Sequence, residues 1–248
     1  MSLTTESAVV KETCSSLARP IIEKYEWLGT LPLNYSKFVG LFFSGNCAGV
    51  ICFVSSKFGA DFSLWNKPAI CLGRGACVHW CPPWGASFLI QRGISLLYGH
   101  DEPRYVLAYS DWSAGEIGTV YQACGWTYLG HRRTKEWLSP DGERFDCYRH
   151  ANNVAPANFG KGKGRSIAPD REAVNAEKAR LISCGWKLVD GPIRGRYATT
   201  TGRKGRIFRS MVKQLLSHGR PYPKRGQSIK RDTPTQSEGR VQSPLAAL

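Results

Sequence analysis

The chain has 248 residues, of which 42% are hydrophobic and 11% aromatic, so it can bury a core and is not a wholly disordered polypeptide. Its longest apolar runs, such as Phe38–Phe43, are far too short to cross a bilayer, and residues 1–10 lack the features of a secretory signal. Nine cysteines without regular spacing do not indicate a disulfide framework and suit a reducing compartment. We therefore expect a soluble protein of the cytoplasm.

The positive charge is concentrated in the C-terminal part of the chain. Residues 1–150 contain 14 Lys and Arg against 13 Asp and Glu, whereas residues 151–248 contain 20 against 6. This distribution predicts a catalytic core at 1–150 and a basic extension at 151–225 that completes the domain and contacts nucleic acid. The alternative is a solvated segment that only aids solubility. Residues 226–248 are too polar to bury a core and are predicted to be disordered.

The N-terminal elements are predicted from capping, periodicity and turn residues. Ser15 and Ser16 can cap a helix that runs to about Trp27. Two β-rich runs follow at Tyr35–Phe43 and Ala48–Ser55, and the Ser-Gly-Asn sequence between them suits a hairpin turn. A helix followed by an antiparallel strand pair is therefore expected.

The middle of the chain alternates between strand and helix patterns. The predicted order is an extended segment, a helix, a buried strand, a helix and two further strands, at Cys71–Trp80, Trp84–Tyr98, Arg104–Ser110, Asp111–Cys124, Trp126–Leu129 and Phe145–His150. After a linker-like stretch at 152–170, helices are predicted at Arg171–Cys184 and Ser210–Ser217. Such alternation predicts a layered α/β (α+β) fold with helices flanking a sheet.

Six basic residues in the extension are candidates for nucleic-acid contact, and aromatic residues lie between them. The set comprises Arg194, Arg196, Arg203, Lys204, Arg206 and Arg209. Basic side chains can neutralise phosphates while aromatic rings stack on bases or pack inward. For any single member, the alternative is a cationic and solvated sheet edge.

The most informative stretch is Tyr109–Trp126. It ends in Val-Tyr-Gln-Ala-Cys-Gly-Trp, which resembles the Leu-Tyr-x-x-x-Gly-Phe segment of the GNAT acyltransferase superfamily. In that superfamily the tyrosine lies on a helix after a splayed central strand and protonates the departing coenzyme A thiolate. The resemblance makes Tyr121 the candidate general acid, and a phenol with a pKa of about 10 can donate this proton. The alternative is that Tyr121 is an amphipathic core residue.

A longer pattern is similar to the Mom family in particular. It includes Tyr-Ser-Asp at 109–111, Gly-Trp-x-Tyr-x-Gly at 125–130 and Leu-Gly-Arg-Gly-Ala-Cys-Val-His-Trp at 72–80, with weaker similarity at Tyr25–Gly29 and Pro221–Arg225. This resemblance implies a GNAT-like domain with a central mixed, mostly antiparallel sheet and a basic C-terminal extension. It also implies a bacteriophage enzyme that installs a carbamoylmethyl group on adenine N6 in DNA and thereby protects the DNA from restriction in the host cytoplasm.

Asp111 is the second candidate catalytic residue. It follows an apolar strand, and open α/β sheets place their sites at the carboxyl ends of strands. The exocyclic amine of adenine is a weak nucleophile, so a carboxylate that accepts its proton would assist attack. Asp111 can also cap the following helix, and both roles can hold together.

The donor site departs from the GNAT pattern of Gln/Arg-x-x-Gly-x-Gly/Ala, whose amides hold a pyrophosphate. The equivalent segment here, Trp80–Ser87, contains two prolines and so lacks two amide donors. Gly85 and Ser87 still offer amides at a helix N-terminus, and Arg74 could supply charge for acetyl-CoA or a related acyl donor. Alternatively, Arg74 forms a surface salt bridge and Ser87 caps the helix.

Several other residues could bind a metal or stack on a base, and no role is assigned to them. Cys77, His79 and Cys81 alternate along an extended segment and could share a metal, but their spacing is not that of a metal knuckle, so no metal ligands are predicted. Chemistry on adenine N6 requires base flipping or a single strand, and Trp80, Trp84 or Trp112 could stack on the base. His131 and His150 are interpreted as surface residues at strand ends.

Two other functions stay open at this point. One is an N-acyltransferase of the same fold that acts on tRNA or protein, because a cationic extension would suit tRNA equally well. The other is a non-catalytic DNA-binding protein on the same fold, which the proline-interrupted donor loop favours.

Overall fold

The computed structural model describes residues 3–27, 29, 31, 35–55, 69–146 and 178–224. They form a single eight-stranded sheet with the spatial order β1-β2-β3-β4-β5-β8-β6-β7. The strands are β1 (Ala8–Thr13), β2 (Tyr35–Phe43), β3 (Asn46–Ser55), β4 (Ala69–Cys77), β5 (Arg104–Asp111), β6 (Thr127–Leu138), β7 (Arg144–Asp146) and β8 (Lys187–Thr201). Neighbouring strands are antiparallel except β4 and β5, which are parallel. The predicted α/β architecture around a mixed, mostly antiparallel sheet is confirmed.

Helices lie on both faces of the sheet. They are α1 (Ser15–Tyr25), α2 (Gly85–Tyr98), α3 (Thr119–Ala123) and α4 (Arg206–Ser217), with a 3-10 turn at Trp112–Ala114 and a helical segment at residues 178–183. Side chains alternate along each strand, so consecutive strand residues pack on opposite faces. One set of strand residues packs with α2 and α3, and the other packs with α1 and α4. We call these the α2 face and the α1 face.

The largest part of the core lies on the α2 face. Apolar residues of α2 recur at helical spacing and include Leu89, Ile90 and Ile94, which pack on strand residues such as Leu41. Gly93 lets the helix approach closely, because an added Cβ there would lie 2.8 Å from the Ile51 side chain. Burial of these side chains fixes the position of the N-terminus of α2 beside the end of β4.

The predicted helix over 111–124 is wrong in extent. The chain forms the short turn at Trp112–Ala114, then a loop, and only Thr119–Ala123 is α-helical. Gly115 and Gly118 have φ values of 76° and 77°, a left-handed backbone that no α-helix contains. The periodicity of the apolar residues concealed these two breaks.

The extension contributes an inner strand of the sheet. β8 runs between β5 and β6, antiparallel to both, and is followed by α4 from Arg206. β8 ends at Thr201, and the last two of the six basic candidates, Arg206 and Arg209, lie in α4. The linker at 152–170, the first residues of the predicted helix at Arg171–Cys184, His150 and the tail at 226–248 lie outside the described residues. None of the helices in the described ranges is long and apolar enough to span a membrane.

The sheet opens between its parallel strands. β4 and β5 pair at Ala69 to Cys71 with Tyr105 to Leu107, and the pairing ends there although both strands continue. Beyond Cys71 the second half of β4 and the last four residues of β5 therefore diverge. A gap opens at the carboxyl ends of these strands, where side chains from both faces can converge.

Candidate active site

Asp111 is the last residue of β5 and lies at the opening of the sheet. Its side chain is only 3% exposed. One carboxylate oxygen, Oδ1, accepts hydrogen bonds from the backbone N–H of Ser113 at 2.9 Å and from the Ser113 hydroxyl, so Asp111 caps the turn that follows. The other oxygen, Oδ2, lies 3.8 Å from Nε of Arg194 and has no hydrogen-bond partner among the described residues. Asp111 therefore caps the turn as expected, and its second, buried carboxylate oxygen can accept a hydrogen bond from a further donor.

Glu116 lies in the loop between β5 and α3, next to Asp111. Its backbone N–H donates to the Asp111 carbonyl oxygen at 3.0 Å. Burial and the nearby Asp111 carboxylate raise the pKa of Glu116, while the Trp27 side chain acts in the opposite direction. Because Trp27 follows α1, the end of this helix lies near the loop after β5.

Tyr121 lies on α3, where its ring packs between Trp126 and Tyr197. The ring centroids are 5.2 Å and 5.3 Å apart. Burial raises the pKa of the Tyr121 hydroxyl, and the Glu116 carboxylate and Cys71 of β4 add to this effect. These ring contacts make Tyr121 part of the core, as the alternative interpretation expects, and its role as a general acid stays a prediction.

A small polar niche lies on the α2 face at the end of β5. The Ser110 hydroxyl and the Trp112 indole N–H are both buried and have no hydrogen-bond partner within the described part of the chain. They meet above Gly195, where an added Cβ would lie 2.6 Å from Ser110 Oγ and 2.8 Å from Trp112 Nε1. His131 is not a lone surface residue, since its ring lies 5.0 Å from that of Trp112. Two unpaired polar atoms of this kind can serve a ligand or water.

Arg74 lies on the α1 face of β4. Its Nη1 donates to the Gly73 carbonyl oxygen at 2.6 Å, and its Nε lies 3.9 Å from the Glu26 carboxylate at the end of α1. Ser87, in contrast, lies in α2 on the opposite face of the sheet. The described contacts therefore do not bring these two donor-site candidates together, and the salt-bridge alternative for Arg74 is present in the structure.

Some hydrogen-bond donors at the N-terminus of α2 already have partners within the protein. The Gly85 N–H donates to the Pro82 carbonyl oxygen at 2.8 Å, and the Ser87 hydroxyl donates to the Trp84 carbonyl oxygen at 3.0 Å. A Cβ at position 85 would collide with the Cys81 sulfur, so close packing explains the glycine. An anion at this helix end would therefore depend on the backbone N–H groups of Ala86 and Ser87.

The six basic candidates do not form one patch. Arg194 lies opposite Asp111 and Arg196 opposite Tyr109, both at the gap end of the sheet. Arg203, Lys204, Arg206 and Arg209 follow β8 at the other end, where Arg203 N–H donates to the Asp101 carbonyl oxygen. The seven-residue interval from Arg194 to Thr201 corresponds to roughly 23 Å at about 3.3 Å per strand residue. Arg132 of β6, exposed and opposite Arg194, adds a cation at the gap end.

The cysteine and tryptophan candidates have structural partners. The neighbouring Cys81 thiol and burial raise the pKa of Cys77. Tyr25 OH lies 3.4 Å from His79 Nδ1, so the histidine is directed towards α1. Within the described ranges, no group of three or more His, Cys, Asp or Glu side chains could hold a metal ion. Trp80 and Trp84 make edge contacts with Phe43 at 6.5 Å and 5.9 Å.

The described residues form a layered α/β domain whose mixed, mostly antiparallel sheet is splayed at its parallel pair. One similar solved structure is the N-acyl amino acid synthase FeeM from uncultured soil microbes, with 18% identity and a TM-score of 0.36; the match covers 50% of this chain and 80% of that chain. Another is an N-acetyltransferase from Staphylococcus aureus, with 11% identity and a TM-score of 0.39; the match covers 77% of this chain and 97% of that chain. No curated protein matches the chain.

The chain belongs to the Mom protein family, which matches residues 7–183. The family that the motifs around Tyr109–Trp126 predicted is thus confirmed, and the match extends well beyond those motifs.

Proposed function

We propose that this protein transfers an acyl group from a thioester donor to the N6 amine of adenine in DNA, a modification that would protect phage DNA from restriction. Its membership of the Mom family supports the proposal. The observation that carries it is the buried Asp111 carboxylate at the opening of the sheet, one oxygen of which has no hydrogen-bond partner among the described residues. A carboxylate and a phenol at one gap suit attack by an amine and departure of a thiolate.

Asp111 binds the acceptor amine. Its Oδ1 is held by Ser113, so its Oδ2 has a fixed direction and can accept one N–H of the amine. Such a hydrogen bond orients the nitrogen and increases its electron density as it attacks. Arg194, 3.8 Å from Oδ2, keeps the carboxylate in place and partly balances its charge.

Tyr121 supplies the proton for the leaving group. Because its pKa is raised, the hydroxyl stays protonated throughout the neutral range. Packing between Trp126 and Tyr197 fixes the ring, so the hydroxyl does not need to be ordered during the reaction.

The residues at the gap fit a thioester donor such as acetyl-CoA or a related molecule. Beyond Cys71 the edge of β4 is not paired with β5, so its backbone can bind an extended amide-containing chain. The N–H groups of Ala86 and Ser87 at the start of α2 would hold the phosphates. The donor would supply the activated carbonyl carbon, and the protein would supply orientation and the two proton-handling side chains.

DNA contact would depend on the cations at the gap end of the sheet. Arg194, Arg196 and Arg132 lie on adjacent strands around Asp111, where they can neutralise phosphates that flank the reacting adenine. The base must leave the stack, because the N6 amine of a paired adenine is not accessible to a carboxylate.

Nucleoside mass spectrometry tests the proposal directly. DNA from cells that express the wild type should contain a modified deoxyadenosine, and Asp111→Asn or Tyr121→Phe should remove it while Asp141→Asn, in an exposed turn, should not. Unaltered DNA with a modified tRNA nucleoside would transfer the activity to tRNA. Unaltered DNA and tRNA, together with salt-sensitive DNA binding, would favour the non-catalytic protein.

A further inference from the structure

Tyr109 lies near the end of β5, on a part of the sheet that the helices leave uncovered. On the α1 face, α1 packs on residues of β2, β3 and β4, whereas α4 packs on Tyr105 and Leu107 of β5. Two residues beyond Leu107 this packing has ended, and Tyr109 is 37% exposed. Since an aromatic side chain is costly to leave in water, its exposure at this place suggests contact with a ligand.

The contacts along β5 establish which way the Tyr109 side chain points. Val106 and Ala108 pack on the α2 face, and the residues between and before them, Tyr105 and Leu107, pack with α4. Because consecutive strand residues point to opposite faces, Tyr109 continues the set that points to the α1 face.

Three charged groups share this face with Tyr109. Asp111 is two residues further along β5, a separation of about 6.6 Å at about 3.3 Å per residue. On β8, Arg196 lies directly opposite Tyr109, and residues opposite each other in an antiparallel pair share a face. Arg194 lies opposite Asp111 in the same way, with its Nε 3.8 Å from the carboxylate. The Arg196 side chain is held in place, because its Nη2 donates to the Leu129 carbonyl oxygen at 3.0 Å.

This combination suits a planar base that carries an amine and is attached to phosphates. The exposed ring can stack on the base, the carboxylate can accept an N–H of its amine, and the two guanidinium groups can neutralise phosphates. An exposed tyrosine alone would be ordinary. The register that places Tyr109 two residues from Asp111 and opposite Arg196 distinguishes it from the other exposed aromatic residues.

We propose that Tyr109 is the stacking surface for the adenine whose N6 amine Asp111 binds. This inference rests on the proposed function, in which Asp111 receives the acceptor amine. A base stacked on the Tyr109 ring would reach Asp111 with its exocyclic amine, while the adjacent phosphates would lie at Arg194 and Arg196. Stacking tolerates every base, so Asp111 would select for an amine and Tyr109 would supply affinity.

The first test measures equilibrium binding of purified protein to two single-stranded oligonucleotides. One carries a single adenine among thymines, and the other has an abasic site in place of the adenine. Loss of one stacked base corresponds to roughly 5- to 150-fold in affinity, so the wild type should prefer the adenine strand by a factor in this range. Tyr109→Ala should remove most of the preference, and Tyr109→Phe and Tyr109→Trp should retain it. The control Leu188→Ala truncates another exposed apolar residue of the sheet, near the start of β8, and should change nothing.

The second test detects the stacked base itself. 2-Aminopurine replaces the adenine, and stacking on an aromatic ring quenches its fluorescence. When bound, it should be quenched by the wild type and brighter in Tyr109→Ala. Because 2-aminopurine lacks the N6 amine, Asp111→Asn should not alter this quenching, although it should reduce the preference for adenine. Thermal unfolding of each variant identifies a loss of fold, and Tyr109→Leu provides a second non-aromatic variant if Tyr109→Ala does not fold.

Coenzyme A also contains an adenine, so its affinity is measured for the same variants. We expect Tyr109→Ala to leave it unchanged. A weaker affinity for coenzyme A, together with an intact preference for the adenine strand, would assign the ring to the donor and overturn the inference.

The remaining outcomes separate this inference from the proposed function. A wild type that does not distinguish the two strands, or a preference that Tyr109→Ala retains, would overturn the role of Tyr109 even if DNA is modified in cells. If the wild type modifies no nucleoside but its adenine preference and the quenching depend on Tyr109, the proposed function fails and the base site remains.

Discussion

Gly118 offers a quantitative test of how the loop after β5 is built. It has a φ of 77° at the residue before α3, and a Cβ there would lie 2.5 Å from Cζ of Tyr197. Gly115, three residues earlier, has a φ of 76° and nothing within 4 Å of an added Cβ. The two glycines share one backbone conformation and differ in steric surroundings, so Gly115→Ala is a matched control for Gly118→Ala.

The magnitudes follow from this difference. A left-handed backbone costs a residue with a Cβ about 1–2 kcal/mol, and both variants carry that cost. Gly118→Ala also collides with Tyr197, which is 1% exposed and stacked at 5.3 Å on Tyr121, so its ring cannot move aside. Overpacking of a core of this kind costs about 1–3 kcal/mol. We expect Gly118→Ala to lose about 2–5 kcal/mol of unfolding free energy and Gly115→Ala about 1–2.

Urea unfolding followed by tryptophan fluorescence measures both losses, and thermal scans provide a second measurement. For a chain of this size, the expected difference of about 1–3 kcal/mol between the variants corresponds to roughly 2–12 °C in Tm. Equal midpoints for the two variants would show that Tyr197 does not limit the space at Gly118. That result would also contradict a fixed packing of Tyr197 against Tyr121.

Two further predictions concern thiol reactivity and DNA binding. Iodoacetamide should modify exposed Cys14 first, because a hydrogen bond from Ser16 lowers its pKa. Burial raises the pKa of Cys52 to about 12, so this thiol should stay unmodified. Peptide mass spectrometry that finds Cys52 modified in the folded protein would contradict this expectation. Arg132→Gln should weaken DNA binding and reduce the slope of log K against log salt concentration by about 1. The control Arg19→Gln on α1 should change neither the affinity nor the slope. Equal slopes for the wild type and Arg132→Gln would exclude a phosphate contact at Arg132.

Local patterns in the sequence predicted most of the sheet and the correct family. The hairpin of β2 and β3, the buried strand β5 and the helix α2 all have strong periodicity and clear turn residues, so their prediction required no long-range information. The position of β8 between β5 and β6 could not be read in the same way. A strand's neighbours are set by packing between segments far apart in the chain, and no local pattern encodes them.

In the candidate site as well, residues within single motifs were predicted, and proximity between distant segments was not. Asp111 and Tyr121 were candidates because each lies in a recognisable motif within a single stretch. Glu116 lies in that same stretch and Trp27 in the Tyr25–Gly29 motif, yet nothing in either indicates that Trp27 acts on the pKa of Glu116. Their proximity depends on α1 packing across β4, which brings the end of the helix towards the gap. Arg74 and Ser87 lie on opposite faces of the sheet for a related reason, because a bulge between β3 and β4 precedes Arg74 and sets its position on the α1 face.

The separation of the basic residues has a consequence for the proposed DNA contact. Arg194 lies opposite Asp111, while Arg203 and Lys204 follow the other end of β8, roughly 23 Å away at about 3.3 Å per strand residue. That distance is about seven base pairs of a duplex at about 3.4 Å per pair, so the two groups cannot contact the same phosphates. Cations at the gap would position the extruded base, and the distant group would contribute affinity alone. Substitutions at Arg203 and Lys204 should therefore weaken binding without altering the reaction rate at saturating DNA, whereas substitution of Arg194 should affect both.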